Sequence, residues 1–179
     1  ITNIALGSPG NGTYADGQLF EILVTFNEIV TTTNSTLSLD SGGSASYFSG
    51  SGTTILTYRY TSALTENSTD LNVTSVTAGD ATDVAGNPIY TTLPSGTNLA
   101  DNHNVIVDTT GPTITSVTST ITGDGYYNLG DIIDIEVNFD ENVIASTPTL
   151  TLDTTATATY LSGSGSSTLV FRYTVAGTE

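Results

Sequence analysis

Apolar and polar residues alternate with a period of two along most of the chain. Phe20, Ile22, Val24 and Phe26 fall on one face of an extended run, and Leu56, Tyr58 and Tyr60 on one face of another. The same pattern predicts strands near 1–6, 18–27, 36–40, 44–49, 54–61, 70–77 and 103–108. No stretch carries the 3.6-residue period of a helix, and the Thr and Gly content weighs against one. Seven short strands in about 110 residues predict an all-β chain with an immunoglobulin-like sandwich. A unit of that size can support its own core without disulfides.

The pattern then starts again. Setting Ile114 on Ile1 aligns the chain with itself without a gap, and roughly 28 of the 66 overlapping positions are identical. Val24, Phe26, Glu28 and Val30 meet Val137, Phe139, Glu141 and Val143. Tyr47 and the Ser-Gly-Ser-Gly run at 49–52 meet Tyr160 and the run at 162–165, and Arg59 and Tyr60 meet Arg172 and Tyr173. Between the copies, residues 104–117 read NVIVDTTGPTITSV. Pro112 removes a backbone donor and biases Gly111 away from helix, so one strand ends there and another begins.

The predicted organisation is therefore tandem immunoglobulin-like β-sandwiches, with repeat one at 1–108, a linker at 109–113 and repeat two at 114–179. The second copy matches only the first five strands and is incomplete. In an immunoglobulin sandwich the first, second, fourth and fifth strands form one sheet, and the third, sixth and seventh form the other. The strand matching 36–40 is thus expected to lack its sheet partners, so that either the natural protein continues or another molecule supplies the missing strands. Ile1 reads as the interior of a strand, so the absence of a signal peptide carries no weight.

Composition narrows the partners. Two cations, Arg59 and Arg172, stand against 18 carboxylates, giving a net charge of −16. Nucleic acid is excluded as a partner by the shortage of Lys and Arg, and an anionic membrane surface is disfavoured for the same reason. No apolar run is long enough for membrane insertion. Such a balance invites a divalent cation, or simply keeps a β protein soluble. There is no Cys, and His103 is the single histidine, so a transition-metal site or a Ser–His triad has little support. No carboxylate pair sits in a recognisable cleft motif, and the chain is not expected to be an enzyme.

The acids gather in the predicted loops. One end of the first repeat would carry Glu28, Asp80, Asp83 and Asp101, and the other Asp40, Glu66, Asp70 and Asp108. Asp140 and Glu141 belong to the second repeat, where they could face Asp108, Glu66 and Asp70 across the linker. Calcium takes six to eight oxygen ligands, and carboxylates clustered without a cation would repel. Against this stands the preference of turns for Asp and Asn, and no EF-hand spacing is present. Residues 83–88 read most simply as a turn in which Asp83 bonds the backbone ahead of it. Arg59 and Arg172 should form cross-strand ion pairs, the first with Glu21, the second with Asp134 or Glu136.

Phe-Asn-Glu at 26–28 and Phe-Asp-Glu at 139–141, Thr-Leu-Ser-Leu at 36–39, the Ser-Gly-Ser-Gly runs, Asp-Val-Ala-Gly-Asn at 83–87 and Val-Asp-Thr-Thr-Gly-Pro at 107–112 occur in that order. Together they resemble the bacterial immunoglobulin-like, cadherin-like tandem repeats of giant surface adhesins. Similar units occur in biofilm-associated proteins and the cyanobacterial swimming surface protein. The resemblance covers the whole chain. It implies a secreted module of a cell-surface rod or extracellular fibre, often stiffened by calcium, whose partners are neighbouring repeats or subunits of the same protein. Two alternatives are a filament subunit completed by intermolecular strand addition and a carbohydrate-binding module with Tyr90 or Tyr126 in an aromatic platform.

Overall fold

The fold, that of a computed structural model, is described for residues 1–121 and 125–177. The chain divides into two compact units, residues 1–110 and 111–179. Both are all-β and sandwich-like, with antiparallel sheets that curl over their own apolar faces.

The first unit contains β1 (Asn3–Ser8), β2 (Gly12–Tyr14), β3 (Leu19–Thr31), β4 (Thr36–Leu39), β5 (Ser44–Ser49), β6 (Thr53–Thr61), β7 (Val73–Thr77), β8 (Thr82–Asp83), the single turn α1 (Leu99–Asn102) and β9 (Val105–Val107). The sheet runs β1-β3-β6-β5-β4-β7; β8 pairs with the end of β3, and β2 pairs in parallel with β9. The alternating burial of β3 and β6 is what the period-two pattern dictates, with Phe20, Ile22, Val24, Leu56, Tyr58 and Tyr60 all pointing inward. Leu71, Val73, Val76, Ala81, Leu99, Val105 and Val107 close over that face and complete one continuous core.

The second unit has β10 (Ile114–Ser119), β11 (Ile132–Val143), β12 (Thr149–Thr151), β13 (Thr157–Ser162) and β14 (Ser166–Thr174), in the sheet order β10-β11-β14-β13-β12. Under the repeat alignment this is the path β1-β3-β6-β5-β4 again. The Ser-Gly-Ser-Gly turns explain part of the identity. The Ser51 N–H donates to the Tyr47 hydroxyl at 2.9 Å, and the Gly52 N–H to the Val30 carbonyl. In the second copy the Ser164 N–H donates to the Tyr160 hydroxyl at 2.8 Å, and the Gly165 N–H to the Val143 carbonyl. Gly50 and Gly163 take φ of 101° and 109°, and a Cβ at either would run into the carbonyl of Ile55 or Thr168.

The third strand departs from the expected two-sheet division. β4 pairs with β5 through Leu37 and Ala45 as well as with β7, and β12 pairs with β13 in the same way. The cause is the turn at 40–43, where Leu39 N–H bonds the Gly43 carbonyl and Gly42 N–H the Leu39 carbonyl. A hairpin that tight cannot carry the chain from one sheet to another. The strand at 149–151 is therefore paired on one side, not stranded. Two short strands, β2 and β8, and the helical turn α1 also lie outside the alternation pattern.

Candidate functional site

Most of the candidate acids are held by protein donors. The Asp80 carboxylate accepts from the Thr32 hydroxyl at 2.7 Å, the Thr33 N–H at 2.9 Å and the Asn34 N–H at 3.2 Å, and bonds the Thr33 hydroxyl as well. The Thr33 and Thr32 hydroxyls, with the Thr33 amide, hold Asp80 well below the usual carboxylate range. Asp80 N–H in turn donates to Asn34 Oδ1 at 2.8 Å. This reciprocal latch ties the turn after β3 to the segment between β7 and β8.

Asp83 accepts from the Asn87 side-chain amide and the Asn87 N–H, each at 2.8 Å, and those two donors depress its pKa. Gly86 takes φ 89° in the same loop, which is the turn the sequence predicts. Asp101 closes a capping box at α1, accepting from the Asn98 N–H at 2.8 Å. Glu28 lines an open cleft of about 540 Å³ with Phe26, Asp83, Pro88 and the exposed Tyr90.

At the other end, Glu66 Oε2 accepts from the Tyr60 hydroxyl at 2.8 Å and the Ala63 N–H at 3.0 Å. Burial pushes the Tyr60 phenol up to about 12, and the neighbouring Glu66 charge acts in the same direction. Asp70 accepts from the Val105 N–H at 3.3 Å, and Asp108 from the Thr110 N–H at 3.2 Å. Asp40 receives the Ser68 hydroxyl and the Asn72 N–H. In the second unit Asp140 grips Thr113, whose N–H and hydroxyl donate at 2.7 and 2.6 Å and lower its pKa. Glu141, on β11, is half-buried.

Among the described residues, no three of these groups converge as a set that could hold a metal ion. Asp80, Asp83, Asp101, Asp40, Glu66 and Asp140 each bond into a turn, a cap or a latch. Turn chemistry accounts for their loop positions, and the latch partners Thr32, Thr33 and Asn34 carried no sequence signal beyond their own turn preference.

The ion pairs form as the register requires. Glu21 stands opposite Arg59 and Asp134 opposite Arg172, each pair closing at 2.7 Å, while Glu136 stands opposite Val170. Arg59 also lies over the Phe48 ring, 3.3 Å from its centroid, a contact that sequence spacing did not suggest. His103 is half-buried, its Nδ1 at 3.2 Å from Asn11 Oδ1. Tyr90 and Tyr126 are both exposed, but they belong to different units.

The second unit carries an apolar groove. The groove, of about 560 Å³, is lined by Val137, Phe139, Val143, Leu150, Leu169 and Phe171, among others. Their counterparts in the first unit, Val24, Phe26, Val30, Leu37, Leu56 and Tyr58, are all buried. Ser35 and Tyr58, whose hydroxyls bond at 2.8 Å in the first core, are replaced together here by Pro148 and Phe171. Neither polar group is left behind without its partner.

No protein-family model, curated protein or solved structure matches this chain.

Proposed function

We propose that this chain is a structural repeat module of an extracellular surface adhesin or fibre. The observation that carries the reading is the repetition itself: two gaplessly aligned copies take the same five-strand order in two separate compact units. Chains of such units build extended spacers, because each contributes its own core and the connector adds only a few residues. The connector is tied at both ends. Asn67 receives the Thr109 N–H at 2.7 Å and donates to the Thr110 hydroxyl, and Asp140 grips Thr113, so that Gly111 and Pro112 alone lie between the anchors.

Calcium stiffening is the finer part of the proposal. Its support is the charge of −16 and the succession of Asp108, Asp140 and Glu141 around the linker, not any set of acids within one unit. Extracellular modules bind calcium at about 10⁻⁴–10⁻³ M, so millimolar calcium is the working condition. Small-angle scattering and thermal melts of the full chain, in millimolar calcium and in chelator, test both parts. An extended particle in both conditions supports the spacer. A larger maximum dimension and higher melting temperature in calcium support the metal, and identical curves remove it. A collapsed particle in both conditions overturns the spacer.

Among the described residues β12 pairs on one side only, which favours a second reading, a subunit that joins its neighbours by strand addition.

A further inference from the structure

We infer that the open face of the second unit is a receptor for one kind of segment: a strand–turn–strand of this repeat's own type, with the pattern of residues 70–83. The inference rests on reading the chain as a tandem repeat. It does not require calcium, surface display or polymerisation.

The first unit shows what covers this face. There β7 lies antiparallel along the outer edge of β4, with Leu37 opposite Val76, Ser38 opposite Ser75 and Leu39 opposite Val73. Val73 and Val76 are buried, and Leu71 and Ala81 on either side of them also enter the core. After β7 the chain turns at Gly79, Asp80 latches the turn after β3, and β8 pairs with Val30 and Thr31. One segment of 14 residues thus covers the third strand, the turn before it and the end of the second strand.

The gapless alignment transfers that footprint residue by residue. β12 presents Leu150 where β4 presents Leu37, and among the described residues it pairs only with β13. The groove bounded by Val143, Leu150, Phe139 and Phe171 lies where Val76 and Ala81 sit in the first unit. Leu150, Phe139 and Val143 remain only partly covered, whereas their counterparts Leu37, Phe26 and Val30 are buried in the first unit. A docked segment would set Val76-type and Val73-type side chains opposite Leu150 and Leu152, and its second strand beside Val143. Ser146 keeps a hydroxyl where Thr33 helps to hold Asp80, whereas Ala145 replaces Thr32 and lacks one. The apolar pair, more than the aspartate, therefore carries recognition.

The register separates this occupant from any strand that merely adds to a sheet edge. A segment of the 70–83 type touches two strands, β12 and the end of β11, whereas generic edge addition touches one. It also leaves β10, the opposite edge of the sheet, unchanged.

The test uses the full 179-residue chain and a labelled synthetic peptide with the sequence of residues 70–83. Binding is read by fluorescence anisotropy and by amide hydrogen exchange. The expected result is saturable binding with slowed exchange at Thr149–Thr151 and at Val143, a raised melting temperature for the second unit and an unchanged first unit. The same peptide carrying Val73→Asp and Val76→Asp should bind at least about tenfold more weakly, since each change sets a charge against the apolar groove. The change lies in the peptide, so folding of the chain is not at issue. Equal binding by the substituted peptide, protection confined to β10, or no binding up to millimolar peptide would each overturn the inference. So would concentration-dependent dimerisation of the chain that buries Phe139 and Leu150 against a second copy. A chain that ignores calcium yet binds the peptide loses its metal and keeps its receptor face, and the converse result does the opposite.

Discussion

Thr155 sits in the left-handed region at φ 70°, at the position where the first copy has Gly42 at φ 91°. The two turns are otherwise alike: Leu152 N–H bonds Ala156 as Leu39 N–H bonds Gly43. A β-branched residue at positive φ is strained by about 1–3 kcal/mol. Thr155→Gly should therefore stabilise the second unit, by about 1 kcal/mol after the greater unfolded-state freedom of glycine is counted. A denaturant titration that shows no gain would mean the turn has relaxed in solution. The two arginines give a second comparison at this scale. Arg59 has both the Glu21 pair and the Phe48 ring, whereas Leu161 stands at the matching position beside Arg172. Arg59→Ala should cost about 1–2 kcal/mol, the sum of an exposed pair and a ring contact. Arg172→Ala should cost less, and Phe48→Leu should bring the two losses together.

The Asp80 latch is an element-scale device, because it fastens the turn leaving β3 to the segment that leads from β7 into β8. Its folded pKa is depressed, chiefly by the Thr33 and Thr32 hydroxyls. The stabilisation is accordingly complete above the ordinary carboxylate value, about 4, and is lost as the pH falls through that value and below it. Acid titration of the first unit should show this loss, and Asp80→Asn should lower stability at neutral pH while flattening the acid slope. An unchanged slope would mean the other carboxylates dominate. Elements such as these mark how far the sequence could be read. β3 and β6 are legible because four apolar positions alternate from Phe20 to Phe26 and three from Leu56 to Tyr60. β8, two residues long, and α1, one turn held by Asn98 and Asp101, are too short to leave a period. The pairing of β4 with β5 was missed because alternation reports which face is buried and is silent on which neighbour supplies the hydrogen bonds. The acids were legible as loop residues, but not as latches, since Asp80 meets Thr32 and Thr33 only through a sequence separation of nearly fifty residues.

At the scale of the molecule, one sequence pattern stands in two states of completion. The first unit buries a core of twenty apolar residues, whereas among the described residues the second buries four, Val137, Ala158, Leu169 and Phe171. Each large apolar side chain moved from water into a core contributes about 1.5–3 kcal/mol, so two units with the same strand order should differ widely in stability. Thermal unfolding of the full chain should show two transitions, the lower belonging to the second unit, with amide exchange assigning each to its residues. Matched substitutions give the sharper check. Ile4 is fully buried on β1, and Val117 occupies the same place on β10 but is 55% exposed. Ile4→Ala should cost about 2–5 kcal/mol in the upper transition, as a core truncation does. Val117→Ala should move the lower transition by no more than about 0.5 kcal/mol, as an exposed substitution does. If Val117→Ala proves as costly as Ile4→Ala, the β10 side of the second unit is covered in solution.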